Sequence, residues 1–360
     1  MSLAFFCFNR GLPLTLRSAF YPLLGKAVWG PFGHLIDIVA VLATLFGLAV
    51  SLGFGAEQIA GGLHYLFGVA VNNTTKIVLI VVIISIALAS VVAGLDKGVK
   101  RLSELNMGLA AALWLFVLIA GPTLVVLSTI FSSVIDYVRY LPALNNWIGR
   151  EDTAFLHGWS TFYWAWWISW SPFVGMFIAR VSKGRTVRQF LAAVIFVPLI
   201  ITVVWFTTFG EIAILQNENA IGQLANGVDD VSLVLFHMLE NLPLASFMSF
   251  VAIILVLVFF ITSSDSGSLV VDSITAGGKL HAPVPQRIFW ATIEGLIAAV
   301  LLYGGGAQAL QALQAGTVAA GLPFTLVLIV CCFSLWKGLS TDSRLLRDIE
   351  RSERQKPTAE

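Results

Sequence analysis

Eight long stretches of mostly apolar residues run along this 360-residue chain, and they constrain its fold more than any other feature. A helix that crosses a bilayer needs about 20 such residues, because its backbone polar groups must be satisfied within the helix where water is absent. The pattern predicts an all-α membrane protein with eight transmembrane helices. The stretches lie near residues 35–53, 77–94, 109–130, 154–178, 190–212, 245–263, 288–303 and 318–336.

The composition excludes several other classes of protein. The chain is 58% hydrophobic and 11% charged, whereas an ordinary soluble domain is about 25% charged. A net charge of +1 gives no support to nucleic-acid binding. No set of nucleophile, base and metal ligands occurs in the pattern of an active site, so the sequence predicts neither an enzyme nor a cofactor. Cys7, Cys331 and Cys332 lie in apolar surroundings and are interpreted as small hydrophobic residues.

Positive charge alternates between the two sides that eight spans define. If the N-terminus is cytoplasmic, 18 of the 21 Lys and Arg residues fall on the cytoplasmic side, as the positive-inside rule requires. The long connection 213–244 lies outside and carries acids without one Lys or Arg. The sequence thus predicts cytoplasmic termini, a transmembrane domain over 1–340 and a cytoplasmic tail over 341–360.

The segment 158–190 is unusually aromatic, with five tryptophans between Trp159 and Trp170. At about 100° per residue, a helix sorts most of its rings into one stripe. Trp167 falls at the edge of this stripe, and Trp164 faces away from it. The stripe consists of Trp159, Phe162, Tyr163, Trp166, Trp170, Phe173 and Phe177.

Three interpretations of this stripe compete. An interfacial belt is too short for rings that extend over about 27 Å of helix. Packing between helices needs no ligand and remains open. A cage for a quaternary ammonium ion is the third, because such an ion cannot donate hydrogen bonds and is held best by ring faces. Pro172 and Gly175 favour the cage, since they are expected to interrupt the helix beside a cavity.

Several segments, in order along nearly the whole chain, resemble the betaine/choline/carnitine transporter family. Besides the aromatic run, they are RGLPLTLRSAFYPLLG from Arg10, GLDKGVKRLSELN from Gly94, FFITSSDSGS from Phe259 and GLPFTLVL from Gly321. The resemblance implies a twelve-helix fold with two inverted repeats, of which this chain corresponds to helices five to twelve. It further implies a homotrimer in the bacterial inner membrane, surrounded by lipid. The implied function is symport of a quaternary-ammonium osmolyte such as glycine betaine, choline or carnitine, driven by sodium or protons.

The resemblance assigns the substrate site to the aromatic helix. Trp166, Trp167 and Trp170 correspond to the substrate-coordinating tryptophans of the family, and Phe162 lies close to them. Trp164 corresponds to a peripheral substrate contact.

The same resemblance points to sodium ligands. Thr262 and Ser263 would supply hydroxyls to one sodium ion and Phe259 a carbonyl, and oxygen ligands suit this hard cation. In the alternative interpretation, these hydroxyls bond to their own helix backbone. Asp265 and Gly267 are expected to open the helix at this point.

A second sodium site in the family uses two threonines four residues apart and a phenylalanine. Thr44 and Phe173 match two of these positions, but the third is Leu48, which cannot coordinate an ion. Fewer sodium ions, or protons, are therefore expected to drive transport.

Two further expectations follow. Glu294 is a carboxylate deep in an apolar helix, where acids are functional candidates by default, although it could simply face a neighbouring helix or a trimer contact.

The four helices that precede this chain in the family are absent from it, so the chain alone is not expected to transport; a misassigned start or a truncated gene would explain this. The competing hypothesis is a non-transporting membrane scaffold, a sensor or an inactive fragment.

Overall fold

The computed structural model describes residues 1–92, 96–151, 153–279, 283–305 and 308–354. The start of the family-like segment at Gly94 and the tip of the predicted tail at 355–360 lie outside these ranges. Within them the chain forms helices and loops without a strand, which confirms the all-α prediction.

In the ranges that the structure describes, nine long helices and one short helix carry the fold, after an N-terminal segment of short helical turns over residues 2–29. The last helix continues to Arg354 without a break at residue 340. The helices are α1 (Pro31–Phe67), α2 (Asn73–Val92), α3 (Asp96–Ala120), α4 (Thr123–Asn145), α5 (Phe162–Val181), α6 (Val187–Glu218), α7 (Val234–Glu240), α8 (Ala245–Thr275), α9 (Val284–Gly305) and α10 (Ala309–Arg354).

Eight of the described helices are long and apolar enough to cross a membrane. The number agrees with the sequence prediction, but the members differ. This set includes α4, and it leaves out the aromatic helix α5, in which tryptophan, tyrosine and serine lower the mean hydropathy. The eight helices are α1, α2, α3, α4, α6, α8, α9 and α10.

The third predicted span, 109–130, has the wrong bounds. Helix α3 ends at Ala120, and α4 begins at Thr123. Pro122 cannot donate a backbone hydrogen bond, and its ring clashes with the carbonyl four residues earlier, so a helix stops before it. The apolar run continues across this break, which is why hydropathy alone joined two helices.

The contacts define two opposite faces of the bundle. On the N-terminal face, Arg10 forms an ion pair with Asp342 near the end of α10. Lys183, just after α5, lies 5.9 Å from the centre of the Phe8 ring. Asp37, near the beginning of α1, forms an ion pair with Arg17, whose Nε lies 2.5 Å from Oδ2 of that carboxylate. The beginning of α1 and the ends of α5 and α10 therefore share one face.

The opposite face contains the start of α2 and the ends of α6 and α9. Lys76 Nζ, near the start of α2, lies 2.6 Å from Oε1 of Glu57 in α1. Gln216, near the end of α6, donates to the carbonyl of Met238 in α7. Asn73 donates to the carbonyl of Leu302 near the end of α9.

Helix α4 has both ends near this opposite face. Just before its start, a Cβ atom on Gly121 would lie 2.6 Å from Cδ1 of Ile212, close to the end of α6. At its other end, Asn145 shares a cavity of about 460 Å³ with His157 and Trp164 at the start of α5. A helix whose ends share one face does not cross the bundle. We infer that α5, whose ends lie on the two faces, crosses in place of α4, so that the number of crossings remains eight.

Helix α1 forms the centre of the bundle. In its most apolar 18-residue window 67% of residues are buried, against 0% in α6, which lies at the periphery. It packs against α2, α5, α8, α9 and α10. Helix α1 therefore positions the elements that carry the candidate site.

Labelling of engineered cysteines tests the placement of α4. In a variant without native cysteines, single cysteines replacing the exposed residues Asn72 and Asn145 should react with a membrane-impermeant maleimide from one side of the membrane. A cysteine replacing Lys183 should react only from the other side. Labelling of residue 145 from the Lys183 side would show that α4 crosses.

Candidate functional site

Helix α5 is continuous through Pro172 and Gly175, so the expected interruption at these residues is wrong. Pro172 leaves the carbonyl of Ile168 without its usual donor four residues later. The hydroxyl of Ser171 donates to that carbonyl over 2.7 Å and thus replaces the missing bond. The irregular part of this segment is instead a π-helical turn, Leu156–Thr161, before α5.

Two tryptophans of the stripe are held by the central helix. The indole N–H of Trp170 lies 2.9 Å from the carbonyl oxygen of Gly47 and 3.0 Å from the hydroxyl of Ser51. The indole N–H of Trp166 reaches the same two atoms, at 3.3 and 3.2 Å. Ser51 donates its own proton to the Gly47 carbonyl over 2.9 Å. Both indoles are thereby fixed with their polar atoms directed to α1.

The rings around Trp166 are in direct contact with one another. Phe162 and Phe54 each stack on Trp166, with centroids 5.5 and 5.6 Å away, and they lie 5.7 Å from each other. Such spacings are those of packed aromatic pairs. This trio therefore fills its own centre and leaves no space for a trimethylammonium group in this conformation.

Trp170 continues the stripe towards the N-terminal face. Its ring lies edge-on to Trp166 at 6.4 Å and to Phe173 at 5.5 Å. Trp164 is 67% exposed, as its position off the stripe predicts. Trp167 is equally exposed and takes no part in this ring cluster. Of the three tryptophans assigned by resemblance, the structure brings together Trp166 and Trp170.

The predicted sodium ligands lie on α8, which is continuous from Ala245 to Thr275. The expected opening of this helix near Asp265 and Gly267 is wrong. The hydroxyl of Thr262 lies 3.0 Å from the carbonyls of both Val258 and Phe259 in the preceding turn. In this conformation Thr262 and the Phe259 carbonyl therefore satisfy each other. Ser263 is half-buried next to them.

The second predicted sodium site is filled by apolar side chains. Thr44 is buried and donates to the carbonyl of Ala40 over 2.8 Å. Leu48 occupies the space left by Gly267, where a Cβ atom would lie 2.4 Å from its Cδ1. Leu48 and Phe173 belong to one buried hydrophobic cluster. A leucine thus lies where a second hydroxyl would be needed.

Sequence reasoning missed the α1 side of this site, formed by Gly47, Ser51 and Phe54. Thr44, Gly47, Ser51 and Gly55 recur every three or four residues, which places small side chains on one face of a helix. Such a face is typical of close helix contacts in membranes. Across the part of the chain that the structure describes, no group of three or more His, Cys, Asp or Glu side chains could hold a metal ion.

Replacing Ser51 by alanine tests the anchoring of the two indoles. Ser51→Ala removes one of the two acceptors, so we expect a loss of about 1 kcal/mol of stability and a change in tryptophan emission. Thermal unfolding in detergent and fluorescence would measure these effects.

Ser273→Ala is the matched control for that substitution. Ser51 and Ser273 are each 3% exposed, and each donates to a carbonyl four residues earlier over 2.9 Å. Ser273 does not contact a tryptophan among the described hydrogen bonds. Equal emission changes in the two variants would contradict the proposed anchoring.

Comparison with known proteins identifies relatives along nearly the whole chain. Residues 1–344 match the profile of the BCCT family, described as betaine/carnitine/choline family transporters. A glycine betaine/proline/choline/ectoine transporter of Vibrio parahaemolyticus is 58% identical over 347 residues, which cover 95% of this chain and 61% of that relative.

Two other relatives show the same pattern. Glycine betaine transporter 1 of Vibrio parahaemolyticus is 56% identical, with 95% of this chain and 65% of the relative covered. A glycine betaine transporter of Acinetobacter baylyi is 43% identical, with 98% and 53% covered. The chain thus spans less than two thirds of the length of these relatives.

Proposed function

Because the chain belongs to the betaine/carnitine/choline transporter family, a family of transporters and not of enzymes, we propose that it serves in secondary active transport of quaternary-ammonium osmolytes. Glycine betaine and choline are the leading substrates, with carnitine as a third. The site of action is the bacterial inner membrane. A sodium or proton gradient supplies the driving force.

One observation carries this proposal: Trp166 and Trp170 direct their N–H groups to the same two atoms of α1. With the polar edges engaged, the ring faces are the part of each indole that can attract a cation. The closed trio of Phe54, Phe162 and Trp166 must separate to admit a trimethylammonium group. Substrate binding therefore involves movement of α5 relative to α1, with Trp167 completing the cage and Trp164 making a peripheral contact.

For ion coupling, we place one sodium site at Thr262, Ser263 and the Phe259 carbonyl. The Thr262 hydroxyl would turn from its backbone acceptors to the ion, which needs only a rotation about its side-chain bond. The apolar contact of Leu48 with Gly267 disfavours a second sodium at Thr44 and Phe173. A single sodium ion, or a proton, is the coupling ion that these contacts favour.

For orientation, we place the N-terminal face in the cytoplasm, because it carries most of the positive charge. Arg10, Arg17, Lys183 and Arg287 lie there, whereas Lys76 lies on the opposite face. The exposed apolar surface of α6 then contacts lipid or, in the homotrimer that the family resemblance implies, a neighbouring protomer.

Uptake of labelled glycine betaine and choline tests the proposed function. A bacterium without its own osmolyte transporters would express either this chain or a form extended at its N-terminus to the length of the relatives. We expect sodium- or proton-dependent uptake by the extended form. Failure of both forms, with normal membrane insertion, would overturn the proposal in favour of a scaffold or sensor.

The tryptophan cage is tested separately by Trp170→Ala in the transporting form. Loss of one cation–π contact, about 0.5–2 kcal/mol, should weaken substrate binding about 2- to 30-fold. The control is Trp336→Ala, because Trp336 is 70% exposed on α10 and lies outside the ring cluster. Unchanged substrate affinity in Trp170→Ala would exclude this ring from the site.

A further inference from the structure

Glu294 lies on the inner side of α9, in the middle of the helix. Its side chain is only 2% exposed. On the next residue, a Cβ atom at Gly295 would lie 2.7 Å from Ile84 of α2. The Oε2 atom of Glu294 is buried without a hydrogen-bond partner. A buried carboxyl oxygen without a hydrogen-bond partner needs an explanation, because nearly all buried polar atoms in proteins are paired.

Ser264 of α8 is the polar side chain that faces this carboxyl group. Ser264 is 2% exposed, and its hydroxyl also forms no hydrogen bond among the described residues. Two unsatisfied polar groups therefore meet in the contact between α8 and α9. Ser264 also directly follows Thr262 and Ser263, the proposed sodium ligands.

The register of α8 against α1 places Ser264 at the level of the aromatic site. Gly267 packs on Leu48, and Gly55 packs on Phe260, so the two helices run antiparallel. Between these two contacts, Ser264 lies at the same level as Ser51, the residue that holds Trp166 and Trp170. Glu294 is thus one helix away from the candidate substrate site.

No cation offsets a negative charge at this position in the described helices that pack against α9. Helix α1 has no charged residue between Asp37 and Glu57, and α2 has none after Lys76. Helix α10 has none between Ala309 and Lys337, where the titratable groups are Cys331 and Cys332. Helix α8 contributes the acids Asp265 and Asp272. Arg287 lies two turns away on α9, with its Nε 3.8 Å from Asp272.

An ionised carboxylate in such a place is strongly disfavoured, because no cation on the described helices around it compensates its charge. We propose that Glu294, facing Ser264 beside the substrate helix, is a proton-binding site through which transport is coupled to the proton gradient. This inference rests on the proposed transport function and names its coupling ion.

Proton binding at Glu294 is coupled to helix movement through the packing of α8 against α9. When Glu294 takes up a proton from water on one side, the neutral group fits between α8 and α9, and the contact closes. When the contact opens to the other side, water stabilises the carboxylate and the proton leaves. No other reactant is needed. Because α8 carries Ser264 and also contacts α1, this cycle moves the helix beside the tryptophan site.

Glu294→Gln separates substrate exchange from proton-driven accumulation. Glutamine has the shape of the protonated acid but cannot release a proton. In proteoliposomes with the transporting form, we expect Glu294→Gln to exchange labelled for unlabelled betaine like the wild type. Accumulation driven by a pH gradient should be abolished, and Glu294→Asp should restore part of it. Glu218→Gln, at an exposed acid at the end of α6, should accumulate normally.

Accumulation by Glu294→Gln at the wild-type level would overturn the inference while leaving the transport function intact. Absence of exchange in the wild type would instead count against the transport function. Infrared spectroscopy of this chain in detergent then tests whether Glu294 is protonated. We expect a band of a protonated, buried carboxyl group that disappears in Glu294→Gln, and its absence in the wild type would refute the proton site.

Discussion

The close approach of the other helices to α1 is the constraint on which the bundle depends. Gly47 lies against Trp170, Gly55 against Phe260 and Gly62 against Phe236 and Ile253, so large side chains on the partners fill the space that a Cβ would need. Lipid is as apolar as the helix surfaces, so packing and hydrogen bonds rather than water exclusion favour this association. A bulky residue at Gly47 would push α5 away from α1, and one at Gly55 would push α8 away.

Polar side chains inside the bundle mostly satisfy the backbone. Thr44 and Thr262 donate to carbonyls of their own helix, and Ser171 replaces a bond that proline removes. Because the hydrocarbon offers no competing water, such local bonds allow hydroxyls to be buried at low cost. Glu294 and Ser264 depart from this rule, and a group that departs from it in the middle of a membrane is a functional candidate.

Two kinds of contact hold the aromatic site together. Hydrogen bonds to Gly47 and Ser51 fix the N–H edges of two indoles, whereas the contacts among Phe54, Phe162 and Trp166 are van der Waals contacts between rings. Ring contacts of this kind are weakly directional and can be exchanged for contacts with a cation. In the proposed function, packing and cation binding are two states of the same rings.

The sequence alone determined the helical class, the number of apolar spans and the aromatic stripe, because helix length and the 3.6-residue period depend on local composition. Tertiary structure decided the rest. The break at Pro122, the continuity of α5 and α8, the exposure of Trp167 and the proximity of Ser264 to Glu294 depend on which neighbour satisfies each polar group and fills each space. Those neighbours are distant in sequence, so no local pattern could reveal them.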